Sequence, residues 1–452
     1  MGKADPLPGG TEASRAAERR RRLHVLFLHA YYCTAASTAG SRSHDLCRAL
    51  LGAGHRVTVI CQVMDTNRTL FSGTRGVVRR VRVEDVDIVG LDVHYSNQFG
   101  IPRRILSFFE FMAMAIVQAL RIPGVDVVFA TSTPPTIAGP ALAVKLLRRV
   151  PFVFELRDIW PDFVEQLQVL PWAPSWFFRT IDAAMRVIYR AADRVTCTTP
   201  GMTRIIEGKG VARAKLDTIL LGANMAHYDG TFAPHPILED QRLKERFVVA
   251  FLGSISYGYG LERLLDVAKR LEGRNPEIAF LLLGRGNRYR EIEERIMALA
   301  LTNVVLGPAI PYSEVPRVLK FVQIGYESSL PSAASDCALD NKFYDYISSG
   351  LPIVSNYDGD MGELLRERRC GHVVGTMDEE VEVFDRLQRS PEEVAALSRN
   401  ARQLAADLAR QRQAEKFVAM IEAVAKPCAR HPPGDGRGRP WRGHRQSPTS
   451  SS

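Results

Sequence analysis

The sequence of 452 residues lacks several features that would assign it to a common class at once. Its seven cysteines are an odd number, and no two of them show a Cys-x-x-Cys spacing, so neither a disulfide framework nor a zinc site is expected. No apolar core of a secretory signal follows the N-terminus. No apolar run reaches the roughly 20 residues that a membrane-spanning helix needs. We therefore expect a cytoplasmic protein.

A uniform excess of charge is also absent, although the net charge is +9. Residues 1–22 contribute +3 and residues 427–452 contribute +4, and we predict that both segments are disordered tails because they offer little apolar surface to bury. Within the body, residues 23–235 have a net charge of +6 and residues 236–426 one of −4. The body is therefore not a polycation, and no nucleic-acid partner is expected.

Between the tails, short apolar strands alternate with helices, a pattern typical of parallel sheets covered by helices. The rhythm breaks around Pro234-His235-Pro236 and restarts at residues 247–252. We therefore predict an α/β protein with two Rossmann-like, doubly wound domains that face a cleft. The domains span residues 23–222 and 246–426 and are joined by a linker at 223–245, and the last helix can pack back on the first domain. Ligands of such domains bind beyond the carboxyl ends of the strands.

In the second half of the sequence, glycines or charged residues stand at the ends of predicted strands and at the start of a predicted helix. Gly253 and Ser254 end one strand, and Gly284-Arg285-Gly286 ends the next. An open backbone there can approach a phosphate or a base, although a plain tight turn fits equally well. Asn341-Lys342 at a helix start suits a diphosphate, and Asp345, one turn later, can accept hydrogen bonds from ribose hydroxyls. A solvated surface Lys and Asp would fit the same pattern.

Two segments of the first half add charged groups near the predicted cleft. Gly40-Ser41-Arg42 joins the first strand to the first helix and can place backbone N–H groups and a guanidinium beside the same diphosphate. Arg157 and Asp158 follow another strand and can orient a hydroxyl or a sugar, although alone they would suit an ion pair between helices. The stretch 105–120, with its basic flanks, is predicted to be either a buried helix or a helix at a membrane surface.

Together these motifs resemble the GT-B glycosyltransferases, and within them family 4 of the retaining glycosyltransferase 1/4-like superfamily. The resemblance covers about residues 23–425. It is carried by Gly40-Ser41-Arg42, Gly54-His55-Arg56-Val57-Thr58-Val59, Ala130-Thr131-Ser132-Thr133-Pro134-Pro135, Glu155-Leu156-Arg157-Asp158-Ile159-Trp160-Pro161, Ala192-Asp193-Arg194-Val195 and Asn341-Lys342-Phe343-Tyr344-Asp345-Tyr346. The Arg-Asp-Ile-Trp-Pro string is most similar to bacterial transferases of the N-acetylfucosaminyl or colanic-acid type, which build O-antigen, capsule or exopolysaccharide.

The resemblance implies transfer of a hexosyl or N-acetylhexosaminyl group from a nucleotide-sugar, with UDP the expected nucleotide, to a lipid-linked or growing glycan acceptor. Retention at the anomeric carbon is implied, and no metal or other cofactor is expected. Catalytic roles fall to Arg157, Asp158 and Lys342. The residues implied to bind the donor are Gly40, Arg42, Gly253, Ser254, Gly284, Arg285, Gly286, Asn341, Lys342 and Asp345. The basic first half suggests peripheral binding to an anionic membrane at the inner face of the plasma membrane.

The sequence departs from the family pattern at two points. Ser254 and Tyr259 stand where many members have an Arg and a Lys that contact the diphosphate. The usual pair of glutamates is also incomplete, since its second member aligns with Asp345 and its first falls near Asp336-Cys337. Two alternatives therefore stay open. One is a non-hydrolysing UDP-sugar 2-epimerase-like enzyme of the same fold, and the other is a non-catalytic paralogue that binds nucleotide-sugars.

Overall fold

The computed structural model describes residues 21–34, 42–95, 99–162, 173–425 and 444–445. These residues form two α/β domains, each built around a mainly parallel sheet. The predicted pair of doubly wound domains is therefore confirmed.

Strands and helices alternate along both domains. The strands are β1 (His24–Leu28), β2 (Arg56–Gln62), β3 (Val78–Val83), β4 (Val86–Leu91), β5 (Val127–Thr131), β6 (Phe152–Leu156), β7 (Arg194–Cys197), β8 (Leu216–Thr218), β9 (Phe247–Ser254), β10 (Ile278–Arg285), β11 (Val304–Gly307), β12 (Ile324–Glu327), β13 (Ile353–Ser355), β14 (Gly371–Val373) and β15 (His444–Arg445). The helices are α1 (Arg42–Gly52), α2 (Ile101–Arg121), α3 (Ala138–Arg148), α4 (Ser175–Ala191), α5 (Pro200–Gly208), α6 (Glu262–Arg274), α7 (Tyr289–Ala298), α8 (Pro316–Leu319), α9 (Ala333–Asp336), α10 (Asn341–Ser349), α11 (Asp360–Arg368), α12 (Met377–Arg389), α13 (Pro391–Asp407) and α14 (Arg410–Val424).

The two sheets define the two domains. The first domain has the strand order β15-β3-β4-β2-β1-β5-β6-β7-β8, and the second has the order β11-β10-β9-β12-β13-β14. Neighbouring strands are parallel except for β3 and β4. Because parallel strands end at one edge of a sheet, the segments that follow them gather on one side of each domain.

Strand β1 shows how the first sheet is stabilised. All five of its side chains are buried. Leu26 and Leu28 join the core on one face of the sheet, whereas Val25 and Phe27 join the core on the other. Side chains of a strand alternate between faces, so a continuous apolar strand requires helices on both sides. The apolar run in the sequence is thus explained by burial on two faces.

The antiparallel hairpin of β3 and β4 is not part of the predicted pattern. Strand β3 contains Arg79, Arg80 and Arg82 among its six residues, so its composition resembles that of a polar loop. The chain reverses at Glu84 and Asp85, whose φ angles are 46° and 65°. Such left-handed conformations are unusual for residues other than glycine. Pairing with the fully buried β4 decides the conformation of this segment.

Helix α2 is longer than the predicted stretch 105–120, and one of its faces is buried while the other is exposed. Phe111, Ala115 and Ala119 are buried in the core of the first domain. Leu106 and Phe109 lie on the outer face with about half of their surface exposed (54% and 51%). In the described part of the chain, no helix is sufficiently long and apolar to cross a membrane.

The chain crosses between the domains at two adjacent places. Ala223 and Ala409 form a parallel β-bridge, and the N–H of Arg410 donates to the carbonyl oxygen of Ala223 at 2.8 Å. Helix α14 then packs on the first domain, where the ring of Phe417 lies 4.8 Å from that of Phe129. The core of the first domain therefore includes residues from the end of the chain.

Candidate active site

Two pockets lie at the carboxyl ends of the strands, and they share Asp340 and Asn341. The second-domain pocket has a volume of about 410 Å³ where β9, β10 and α10 meet. The interdomain pocket, of about 600 Å³, is lined by residues of both domains. Of the predicted site residues, the second-domain pocket contains Gly253, Ser254, Gly284, Asn341, Lys342 and Asp345. The interdomain pocket contains Arg157, Asp158 and Asn341.

Lys342 lies in the first turn of α10 and is 7% exposed. Its Nζ lies 2.7 Å from Asp340 Oδ2 and 2.9 Å from Glu327 Oε2. The same atom lies 4.4 Å from the centre of the Tyr259 ring. Burial opposes the ammonium charge, but the two carboxylates outweigh it and raise the pKa of Lys342 well above its ordinary value. Lys342 therefore carries a charge that the protein itself compensates.

Glu327 is a member of this cluster that sequence analysis missed. It ends β12, and its carboxylate is completely buried. Burial raises the pKa of Glu327 to about 7. Its partner Lys342 stands on α10, and only the fold brings the two together. The sequence offers one indication of this role, because Glu327 is an acid at the end of the otherwise uncharged strand Ile324–Glu327.

Asp345 lies one turn after Lys342 on the wall of the second-domain pocket. The hydroxyl of Tyr312 donates to Asp345 Oδ1 at 3.2 Å, and burial raises the pKa of Asp345 to about 6. The carboxylate retains lone pairs that can accept further hydrogen bonds. The lining of this pocket also includes an apolar wall that consists of Leu283, Ala309, Ile310, Val315 and Leu319. A flat base and a ribose would find suitable partners here.

The glycines predicted to bind the donor differ in whether packing requires a glycine at their position. Gly253 and Gly284 are neighbours in the register of β9 and β10. A Cβ on Gly284 would lie 1.8 Å from the carbonyl oxygen of Gly253, and one on Gly286 would lie 1.9 Å from that of Ile255. A Cβ on Gly253 would meet nothing closer than 3.6 Å. Packing between strands thus requires Gly284 and Gly286, while the exposed Arg285 lines neither pocket.

Arg42 lines neither pocket and is engaged by the protein. Its Nη2 donates to Glu155 Oε1 at 2.7 Å and to the carbonyl oxygen of Ile219 at 2.9 Å. Burial alone would raise the pKa of Glu155, but the charges of Arg42 and Arg157 outweigh it and keep that pKa below its ordinary value. The prediction that Arg42 binds a diphosphate finds no support in this placement. Gly40 lies outside the described residues.

Arg157 and Asp158 follow β6 and line the interdomain pocket. The backbone N–H of Arg157 donates to Ser132 Oγ at 3.0 Å, and Thr133 Oγ1 donates to Asp158 Oδ2 at 2.7 Å. His29, which sequence analysis missed, lines the same pocket and is 4% exposed. Burial and the charge of Arg157 lower the pKa of His29 well below its ordinary value, so its imidazole is neutral.

Two family models match the chain, one in each domain. A model described as a glycosyl transferase 4-like domain matches residues 37–222. A second, described as glycosyl transferase-like, matches residues 261–419. A comparison with proteins of curated function gives no sequence match.

Several solved structures have a similar fold. Sucrose-phosphate synthase from Thermosynechococcus elongatus is 14% identical with a TM-score of 0.69, over 89% of this chain and 99% of that one. A glycosyltransferase from Rickettsia africae is 13% identical with a TM-score of 0.66, over 90% and 100% of the two chains. HepE from Anabaena, in complex with UDP-glucose, is 14% identical with a TM-score of 0.66, over 89% and 100%. These similarities confirm the predicted GT-B fold.

Proposed function

Since its two matched domains place the chain in the GT-B glycosyltransferase superfamily, we propose that it transfers a sugar from a nucleotide-sugar to a hydroxyl group of an acceptor. The observation that carries this proposal is the second-domain pocket, where an apolar wall, the carboxylate of Asp345 and the start of α10 lie together. The UDP-glucose complex of HepE supports UDP as the nucleotide.

In this proposal the base lies against the apolar wall and the ribose hydroxyls donate to Asp345. The diphosphate lies at the start of α10, beside Asn341 and Lys342, because a helix N-terminus attracts anions. The sugar then points to the interdomain pocket, since Asp340 and Asn341 line both spaces. Catalysis rests on positioning and on stabilisation of the leaving diphosphate.

The acceptor enters the interdomain pocket, where Asp158 can orient its hydroxyl. We propose a lipid-linked or growing glycan of cell-surface polysaccharide synthesis as the acceptor, because of the Arg157-Asp158-Ile159-Trp160-Pro161 string. Retention at the anomeric carbon and independence of metal ions stay predictions. In the described residues, no three His, Cys, Asp or Glu side chains cluster as metal ligands do.

A donor screen tests the proposal. A ligand that binds only the folded protein stabilises it by about 2.7 kcal/mol at 100 times its Kd. We expect a UDP-sugar to raise the unfolding temperature, and a GDP- or TDP-sugar to raise it less. Mass spectrometry then separates transfer to an acceptor from conversion of the donor alone, as in an epimerase. Stabilisation by no nucleotide-sugar would contradict the proposal, and binding without turnover would indicate a non-catalytic paralogue.

Donor affinity should fall as the pH rises from 6.5 to 8. The pKa of Glu327 is about 7 and that of Asp345 about 6, so over this range Glu327 loses its proton while Asp345 is already mostly charged. A new negative charge beside the diphosphate site repels the nucleotide, with an expected loss of roughly threefold to tenfold. Calorimetry with UDP-glucose, whose diphosphate does not gain or lose a proton in this range, measures this dependence. In Glu327→Gln it should disappear, and an unchanged slope in that variant would refute this assignment.

We also propose that α2 binds an anionic membrane, as the basic first half suggested. Leu106 and Phe109 are exposed, and Arg103 and Arg104 precede them in the same helix. Apolar side chains flanked by arginines favour the interface of an anionic bilayer. Leu106→Asp with Phe109→Asp should lower co-sedimentation with phosphatidylglycerol vesicles about tenfold. The matched control is Met297→Asp, at a side chain of the second domain that is 65% exposed. Equal binding to neutral and anionic vesicles would rule the proposal out.

A further inference from the structure

A departing nucleoside diphosphate needs positive charge close to it, because charge develops on the phosphate oxygen as the glycosidic bond breaks. Among the described residues that line the two pockets, the Lys and Arg side chains are Lys342 and Arg157. Ser254 and Tyr259, in contrast, are neutral. The charge available to a diphosphate therefore depends on how these two cations are engaged.

The charge of Lys342 is already used by the protein. Asp340 and Glu327 lie within 2.9 Å of its Nζ, so the cluster has little or no net positive charge. A diphosphate beside it meets the N–H groups at the start of α10 but no uncompensated cation. Lys342 therefore shapes the binding site more than it supplies charge to it.

Arg157 is in the opposite situation. Within the described ranges, its guanidinium forms no hydrogen bond or ion pair, although the side chain is half-buried. The adjacent carboxylate of Glu155 is occupied by Arg42 and by Thr131 Oγ1, both at 2.7 Å. Asp158 accepts from Thr133. Burial lowers the pKa of Arg157, and the carboxylates of Glu155 and Asp158 attract its guanidinium through charge alone. Because its N–H groups form no hydrogen bond to the described residues, an anion can bind them and offset the cost of their desolvation.

We propose that Arg157 binds the leaving diphosphate from the first domain and supplies the positive charge that Ser254 and Tyr259 do not. This inference rests on the proposed function. The bond between the anomeric carbon and the β-phosphate oxygen breaks, and its electron pair stays on that oxygen. The acceptor oxygen bonds to the anomeric carbon, and its proton passes to the departing phosphate. Arg157 offsets the charge on the diphosphate and is unchanged at the end.

The position of Arg157 suits this role. It lines the interdomain pocket together with Asp340 and Asn341, which also line the second-domain pocket. An anion at the start of α10 can therefore meet both domains. Burial and the charge of Arg157 lower the pKa of the neighbouring His29, so His29 does not supply a second positive charge to this pocket. In this proposal the diphosphate therefore contacts both domains, with the start of α10 on one side and the guanidinium of Arg157 on the other.

Chemical rescue of Arg157→Ala tests the proposal. We expect kcat to fall about 100-fold to 1000-fold, both for transfer and for donor hydrolysis without acceptor. Millimolar guanidinium chloride should restore part of the rate, whereas sodium chloride should not, because only guanidinium refills the site. Arg157→Lys should keep an intermediate rate, and Arg213→Ala, at an exposed arginine of the same domain, should behave as the wild type.

Other outcomes would overturn the proposal. An unchanged kcat in Arg157→Ala would do so, as would a defect limited to the KM of the acceptor, since that would place Arg157 on the acceptor. UDP calorimetry separates this inference from the proposed function. We expect UDP affinity to fall about tenfold in Arg157→Ala. A wild-type protein that binds UDP through Arg157 without transferring a sugar would refute the proposed function alone, and an affinity that does not depend on Arg157 would refute this inference.

Discussion

Lys342→Met should weaken UDP binding about 100-fold or more, a change worth roughly 2.7 kcal/mol. The change leaves Asp340 and Glu327 beside the diphosphate site without their cation, so an anionic ligand meets carboxylates alone. Loss of one partner of a buried ion pair also lowers the free energy of unfolding, by about 3 kcal/mol. Calorimetry with UDP and urea denaturation measure the two effects separately.

A double variant shows whether the losses in Lys342→Met come from the uncompensated charge or from the altered shape of the side chain. In Lys342→Met combined with Glu327→Gln, one buried carboxylate is neutral, and we expect both affinity and stability to recover in part. Lys269→Met, at an exposed lysine of α6 that pairs with Glu272, should leave UDP affinity unchanged and lower stability by about 1 kcal/mol or less. If Lys342→Met bound UDP within threefold of the wild type, the second-domain pocket would not be the nucleotide site.

Arg42→Met should lower the free energy of unfolding of the first domain by about 3–5 kcal/mol, because Glu155 would stay buried without its cation. The carbonyl oxygens of Ile219 and Leu220 would lose a donor as well. Urea denaturation measures the change. UDP affinity of the folded variant should fall much less than in Lys342→Met, and only because the freed carboxylate of Glu155 then attracts Arg157.

The matched control for Arg42→Met is Arg366→Met. Arg366 also forms an ion pair, with Asp358, but both side chains are more than half exposed (54% and 58%). Exposed pairs contribute about 1 kcal/mol or less. If both variants lost the same stability, or if Arg42→Met lost as much UDP affinity as Lys342→Met, Arg42 would have the donor-binding role that its sequence position suggested.

The sequence predicts most of the fold because its strands are apolar and short. The pattern predicted to restart at residues 247–252 corresponds to β9, and the predicted stretch 105–120 lies within α2. The hairpin of β3 and β4 was missed since the three arginines of β3 hide its alternation. Local composition therefore predicts buried strands well and half-exposed strands poorly.

The candidate site was predictable where its residues stand close together in the chain. Lys342 and Asp345 share one helix turn, so their neighbourhood follows from helical periodicity. Glu327 and the hydroxyl of Tyr312 reach the same site from other elements, and no sequence spacing reveals that. At Arg42 the sequence motif is present, but the side chain pairs with Glu155 and does not line either pocket.

The paired crossings at Ala223 and Ala409 give the second domain the topology of an insertion. Its two ends are hydrogen-bonded neighbours, with the N–H of Ala223 donating to the carbonyl oxygen of Leu408 at 2.9 Å. Domains with adjacent ends tolerate transfer into other chains and circular permutation. The first domain, in contrast, is discontinuous, since Phe417 completes its core from beyond the insertion. The second domain is thus one continuous segment with adjacent ends, and we expect it to be easier to exchange between enzymes than the first domain.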